Sequence, residues 1–443
     1  MCWRAPYALL MLAATSIDYS LGCLIDATHD VSKRKKFLIL SLFSNFGILL
    51  IFKYLGFFNE LLRSFFALID YRYPVSTINI LLPMGISFHI FQTQGYTIEV
   101  YRKEIKAEKN FFMYALYVAY FPQLVAGPIE RAGKLIPELY QKNVFSQNRI
   151  VSGVRLMMIG FFKKVVIADR LSVFVDNVYH EPQHATGLSL LMATYFFAIQ
   201  IYCDFSGYTD VARGSSRVIG IELMENFNRP YSATSIADFW RRWHISLSSW
   251  FKDYLYFPLG GSRGSWWMWA RNTMIVFLAS GLWHGANMTF VVWGAIHGFY
   301  LIAGRLGSSY FSRFFEILHI VKYPKIYRRI QQLLTFHWVL IAWVFFRANH
   351  VQDAIYILKH SFLNWKFDLN YLGTSLQPFA KDRTAVANAL FVFLLLCINY
   401  YSPSLIAFSK KKISYRLLAD VCLLLMIFIF GRLGTQNFIY FQF

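Results

Sequence analysis

Four consecutive basic residues, Lys33 to Lys36, abut an apolar run, FLILSLFSNFGILLIFKYLGF, at 37 to 57. A run of that length matches the roughly 20 helical residues needed to cross a hydrocarbon core about 30 Å thick. The pattern recurs, with candidate spans at about 5–28, 37–57, 76–99, 153–175, 188–211, 272–285, 288–304, 333–347, 386–407 and 417–433. Backbone polar groups find no water in lipid, so spans of this kind must satisfy their hydrogen bonds internally as helices. The expected fold is therefore all-α, a polytopic membrane helical bundle. Several runs are too short or too polar for a simple crossing. Residues 111–128, FFMYALYVAYFPQLVAGP, are interrupted by Pro122 and followed by Gly127 and Pro128, and read as a re-entrant segment.

A chain of 443 residues that is 56% hydrophobic and 19% aromatic is too apolar for a soluble globule. The net charge of +20 raises nucleic-acid binding as a rival explanation, but the cations fall in short clusters between apolar runs. That is the signature of cytoplasmic loops, so the expected partner is membrane lipid and not nucleic acid. With Lys33–Lys36 inside, Arg102, Lys103, Lys106 and Lys109 return inside, as do 212–271, the Arg305 to Arg329 stretch, and Lys410–Lys412 with Arg416. The loop 176–187 has no Lys or Arg and falls outside, and both termini are expected outside. No cleavable signal pattern, repeat or linker is visible, so 1–443 reads as one membrane domain. Cys2, Cys23, Cys203, Cys397 and Cys422 form no CxxC pair and read as packing residues.

Residues 231–258, YSATSIADFWRRWHISLSSWFKDYLYFP, carry the densest pattern. Ser235 with Asp238 forms a capping-box-like start, and Pro258 marks a stop. Ile236, Phe239, Trp240, Trp243, Leu247, Trp250, Phe251 and Tyr254 recur at the spacing of one helical face, with Arg241, Arg242, Lys252 and Asp253 opposite. This predicts an amphipathic helix at the membrane boundary. His244 falls at the buried flank of its stripe, either bonding a carbonyl or serving a polar site.

The second informative block is SGLWHGAN at 280–287, where His284 is the only ionisable residue of the run beginning at Met274. Gly281 and Gly285 form a GxxxG pattern around it, and Gly294 and Gly298 form another around His297, so His284 should face the bundle interior. An imidazole at such depth is either a satisfied core group or a functional one. In a single continuous helix, His284 and His297 would lie about 220° apart and face away from each other. His244 and His284 are suited to converge from different helices, and neutral imidazole is the side chain best able to take a proton from a hydroxyl near pH 7. Two patterns are decoys. His180, Glu181 and His184 spell HEPQH, but Pro182 opposes the helix a zinc site of that type needs, and no metal site is expected. Asn287-Met288-Thr289 has a sequon's form inside apolar sequence.

With these residues in view, the chain resembles the membrane-bound O-acyltransferase (MBOAT) family, in the branch typified by bacterial alginate O-acetylation. The matching stretches are LPMGISFHIFQTQGYTIEVYR (83–102), YFPQLVAGPIERAGKLIPEL (120–139), YCDFSGYTDVARG (202–214), ENFNRPYSATSIADFWRRWHISLSSWFKDYLYFPLGG (225–261), SGLWHGAN (280–287) and the terminal FIYFQF. The resemblance implies a ring of about 10–11 spanning helices, with re-entrant and interfacial helices, around a central funnel. It implies a multi-pass protein of the bacterial inner membrane that moves an acyl group, first acetyl, from a cytoplasmic thioester across the membrane toward a polysaccharide hydroxyl. His284 is then the catalytic histidine of the WHG block, and His244 the second polar residue of the site. Arg241, Arg242 and Lys252 either attract a phosphorylated donor such as acetyl-CoA or an acyl carrier, or anchor their helix. The donor is a substrate, with no bound cofactor, and an extracytoplasmic acetyltransferase partner is implied. Members of the branch usually carry a further apolar helix ahead of the segment matching 3–28. The rival readings are D-alanyl transfer to teichoic acid and, in a different class, a transporter or flippase using the histidines as a relay.

Overall fold

The computed structural model describes residues 6–76, 83, 85–124, 127–363, 365–366, 368–377 and 413–432. Among these residues the protein is helical, and extended pairing is confined to one bridge, Phe227 with Trp243. The expected span at 386–407, Lys410–Lys412 and the terminal FIYFQF lie outside the described residues.

The first apolar runs form α1 (Pro6–Ala27) and α2 (Val31–Leu49), which continues through a π-helical turn (Leu50–Tyr54) into α3 (Leu55–Ala67). Asp18, buried in the first span, accepts from Ser41 Oγ at 2.6 Å and Asn45 Nδ2 at 2.9 Å, so α1 and α2 share a polar seam. Arg34 is also buried. It donates to the carbonyls of Ile25 (2.8 Å) and Tyr101 (2.7 Å), tying this basic cluster to the ends of α1 and of the helix that finishes at Tyr101.

Next come α4 (Ile86–Tyr101), buried on nearly every side, and the short α5 (Phe111–Val118) and α6 (Ala132–Tyr140). The segment read as re-entrant is α5 followed by tight turns, too short to cross. α7 (Gln147–Phe161) passes through a second π-helical segment (Phe162–Ala168) into α8 (Asp169–His180). It packs on the 33-residue α9 (Gly187–Ile219). Glycines seven apart on both helices let the backbones touch: a Cβ on Gly160 would lie 2.5 Å from the Gly207 carbonyl, and one on Gly153 2.7 Å from that of Gly214. Beside this seam Lys163 pairs with Asp210 at 2.6 Å, and Lys164 with Asp204 at 2.6 Å and Asp169 at 2.8 Å. The charges in these spans neutralise one another inside the bundle.

The region 231–258 is not one helix. It forms α10 (Ile236–Trp240), a break, α11 (Ile245–Phe251) and a π-helical turn (Lys252–Tyr256). Ser235 caps α10 by accepting from the Asp238 N–H. The aromatic stripe is buried in protein: Phe239, Trp243, Leu247, Trp250 and Phe251 are all core residues. Then α12 (Trp266–His284) and α13 (Met288–Ile317) form a hairpin, followed by α14 (Pro324–Arg347), α15 (Val351–His360), α16 (Leu369–Leu376) and α17 (Ile413–Phe430). Among the described residues, five helical stretches are long and apolar enough to cross a membrane, in α1, α2–α3, α9, α13 and α14. The other apolar helices are shorter or carry the paired charges.

Candidate active site

His244 owes its position to a strained backbone. Its φ and ψ are +44° and +54°, the left-handed region that a non-glycine residue enters only when its surroundings compel it. Those surroundings are the extended segment at 226–228. The Asn228 N–H donates to the Arg242 carbonyl (2.9 Å), and the Ile245 N–H donates to the Asn226 carbonyl (3.0 Å). The Asn226 side chain finishes the turn, its Oδ1 accepting from the Ser246 N–H (3.1 Å) and Ser246 Oγ (3.0 Å). His244 Nδ1 lies 3.3 Å from the same oxygen, so Nδ1 carries the proton and donates. The carbonyl partner anticipated for this histidine is thus an amide side chain. Its other nitrogen, Nε2, is buried and has no hydrogen-bond partner among the described residues.

His284 is the last residue of α12. Gly285 leaves the helix in extended backbone, and Asn287 starts the next by accepting from the Thr289 N–H (3.0 Å), while its Nδ2 donates to the Asn349 carbonyl (3.0 Å). Gly281 and Gly294 set the hairpin's separation: a Cβ on either would lie 2.3 Å from a backbone carbonyl of the facing helix, Phe290 or Phe277.

The break between α12 and α13 removes the premise that set His284 and His297 facing apart. Both pack against Trp293, at ring-centroid distances of 5.1 Å and 5.0 Å. His297 Nδ1 accepts from Trp240 Nε1 at 3.2 Å.

His244 and His284, 40 positions apart in sequence, have ring centroids 6.5 Å apart. Phe88, Phe205 and Trp283 wall the first, and Trp283, Trp293 and Phe346 the second. Both imidazoles are at most 5% exposed.

A cavity of about 330 Å³ lies between α10–α11 and α12–α13, lined by Trp240, Lys252, Tyr256, Trp269 and Ser280 among others. Trp269 and Ser280 are 11 residues apart on α12, about 16 Å along the axis, and Ser280 is one turn before His284. A second cavity of about 330 Å³, lined by Asp176, Asn177, His180, Arg347 and Asn349, lies where α8 and α14 finish.

Of the three cations considered for donor attraction, Lys252 lines the inner cavity. Arg241 and Arg242 are instead held by Asp238, at 3.4 Å and 3.0 Å. Burial alone would raise the Asp238 pKa, but the hydrogen bonds from Arg242 and the Thr234 N–H, together with the charges of Arg242 and Arg241, outweigh it and hold the carboxyl below its usual range. His180 ends α8 and Pro182 opens a 3₁₀ turn, so HEPQH presents no helical face. Asn226 and Lys53, which contact the two histidine-bearing segments, gave no sequence signal. His89, quoted only within a matching block, is buried on α4, and neither ring nitrogen has a hydrogen-bond partner among the described residues.

A polytopic helical membrane protein with paired imidazoles in an aromatic chamber is built for buried acid–base chemistry. The sequence comparisons make that class specific. The profile of the MBOAT, membrane-bound O-acyltransferase family, matches residues 50–346, and the chain belongs to that family. It is 36% identical to a probable alginate O-acetylase AlgI of Azotobacter vinelandii, covering 93% of this chain and 80% of that protein. It is 34% identical to a peptidoglycan O-acetyltransferase of Helicobacter pylori, covering 100% and 89%. A teichoic acid D-alanyltransferase of Bacillus subtilis is 29% identical over 49% of this chain and 58% of its own length. The protein is a multi-pass membrane O-acyltransferase.

Proposed function

We propose that the protein moves an acetyl group from a cytoplasmic thioester donor, such as acetyl-CoA or an acyl carrier, across the bacterial inner membrane toward a hydroxyl of an extracytoplasmic polysaccharide. His284 is the general base. A ring nitrogen takes the proton of the acceptor hydroxyl as its oxygen attacks the thioester carbonyl carbon. The tetrahedral intermediate then expels the donor thiolate, which recovers the proton from the imidazolium. His244, with Nδ1 fixed by Asn226, offers Nε2 to position the donor or relay the proton. The aromatic walls keep hydrolytic water out. The inner cavity holds the donor arm, with Lys252 toward its phosphate end. An extracytoplasmic acetyltransferase partner completes delivery to the polymer.

The observation that carries this reading is the convergence of two buried imidazoles beside a cavity that runs up α12 to within a turn of His284. The named alginate and peptidoglycan O-acetylating relatives support acetyl as the acyl group and a polysaccharide as acceptor. The D-alanyltransferase relative, matched over about half the chain, makes D-alanyl transfer the second reading.

The test is His284→Ala, assayed as label transferred from [14C]acetyl donor to polysaccharide in membranes. Transfer is expected to vanish while the variant still inserts and purifies as a monodisperse species. Retained acetylation defeats the proposal. Donor consumption by purified wild-type protein separates it from a transporter, which leaves the thioester intact.

A further inference from the structure

The last four carbonyls of an α-helix lack partners within it and must find them elsewhere. α12 ends at His284, and all four of its carbonyls are accounted for. That of Gly281 takes the Gly285 N–H at 3.3 Å. The other three accept from one place, the π-helical turn between α2 and α3, some 230 residues earlier in the chain. Tyr54 Oη donates to the Leu282 carbonyl at 2.8 Å, and Lys53 Nζ donates to the Trp283 carbonyl at 2.6 Å and the His284 carbonyl at 3.3 Å.

Consecutive side chains on an α-helix diverge by about 100°. The wider turn of a π-bulge narrows that angle, and such bulges concentrate at functional sites. Here it lets two adjacent residues grip one helix end.

Lys53 is the only basic or acidic residue in the run 37–57, where burying an ammonium is costly. Its charge sits at the negative end of the α12 dipole, where a cation is best accommodated. Of its three N–H donors, two are spent on the peptides flanking the imidazole's own Cα, which fixes where that imidazole starts.

We infer that Lys53 is a positioning residue for the acyl-transfer reaction: its ammonium clamps the C-terminal carbonyls of α12 and thereby holds His284 in place. This rests on the reading of His284 as the base.

The test uses the full chain in detergent or nanodiscs with variants Lys53→Met, Lys53→Arg and Tyr54→Phe. A misplacement of about 1 Å in a catalytic group costs up to about 100-fold. Lys53→Met is therefore expected to lower kcat by at least about tenfold with the donor KM within about twofold, because the loss falls on the transition state. Lys53→Arg, which keeps charge and donors, recovers most of kcat. Unchanged kcat in Lys53→Met, an equal loss in Lys53→Arg, or a fall confined to KM overturns the inference. Where Lys53→Met does not purify as a monodisperse species, Tyr54→Phe decides. Lower kcat at unchanged KM supports the clamp, and wild-type kcat overturns it. Activity surviving in His284→Ala removes the underlying reading instead, so the two failures are distinguishable.

Discussion

Asn226 is the residue on which the geometry of His244 depends. One amide oxygen faces a backbone N–H, a serine hydroxyl and the imidazole Nδ1, and this pins both the left-handed turn and the tautomer. Asn226→Ala leaves buried donors unsatisfied, at a cost of about 1–3 kcal/mol. It also frees the ring to exchange its proton between nitrogens. The expected outcome is a lower unfolding temperature together with reduced kcat, measured on the same purified sample; Asn226→Asp restores the acceptor and recovers stability first. The two histidines were legible from sequence because an ionisable group inside an apolar or aromatic stretch stands out against its background. Asn226 was not, since it lies in the polar loop ENFNRP and meets His244 only through a tertiary turn. Lys53 was equally silent: a single cation near the end of a span reads as a membrane anchor until the carbonyls it meets are known.

At the scale of elements, apolar run length located most helices, because length and composition decide membrane crossing with little help from neighbours. Periodicity misread 231–258, whose three- and four-residue spacing survives on both sides of a break at residues 241–244. The stripe is buried in protein because α4 and the α12–α14 helices supply aromatic surface: Trp250 stacks on Phe91 at 3.8 Å, and Trp243 meets Trp343 at 5.0 Å. The GxxxG patterns around His284 and His297 pointed correctly to close helix approach. The seven-residue glycine spacing of α7 and α9 marks an equally close contact that a search for four-residue spacing passes over. A comparison within α13 tests the role of the hairpin glycines. A Cβ on Gly294 meets backbone, whereas one on Gly304 has no heavy atom within 4 Å. Gly294→Ala is expected to cost about 1–3 kcal/mol or more through overpacking and to abolish transfer. Gly304→Ala should leave both folding and turnover intact, read by thermal scanning and the acetyl-transfer assay.

Among the described residues, two cavities of similar size border the segments that carry the two imidazoles. The inner cavity draws on the basic segment 212–271, expected inside, and the outer on the end of α8 in the segment 176–187, expected outside because it has no Lys or Arg. Neither cavity was visible in the sequence, since each is assembled from segments far apart in the chain. Phe346 rests its ring on His284 at 5.3 Å, while the next residue, Arg347, lines the outer cavity. Phe346→Leu is therefore expected to release thiol from the donor without any acceptor present, followed with a thiol-reactive dye, as transfer to polymer falls.

The position of that ring has a bioenergetic consequence. An enzyme that hands cargo between compartments held at different electrical potential needs a bulkhead as much as a passage. On the function proposed above, the Phe346 ring against His284, one residue from the cavity that Arg347 lines, is part of that bulkhead, and vesicles holding the leucine variant are expected to leak ions.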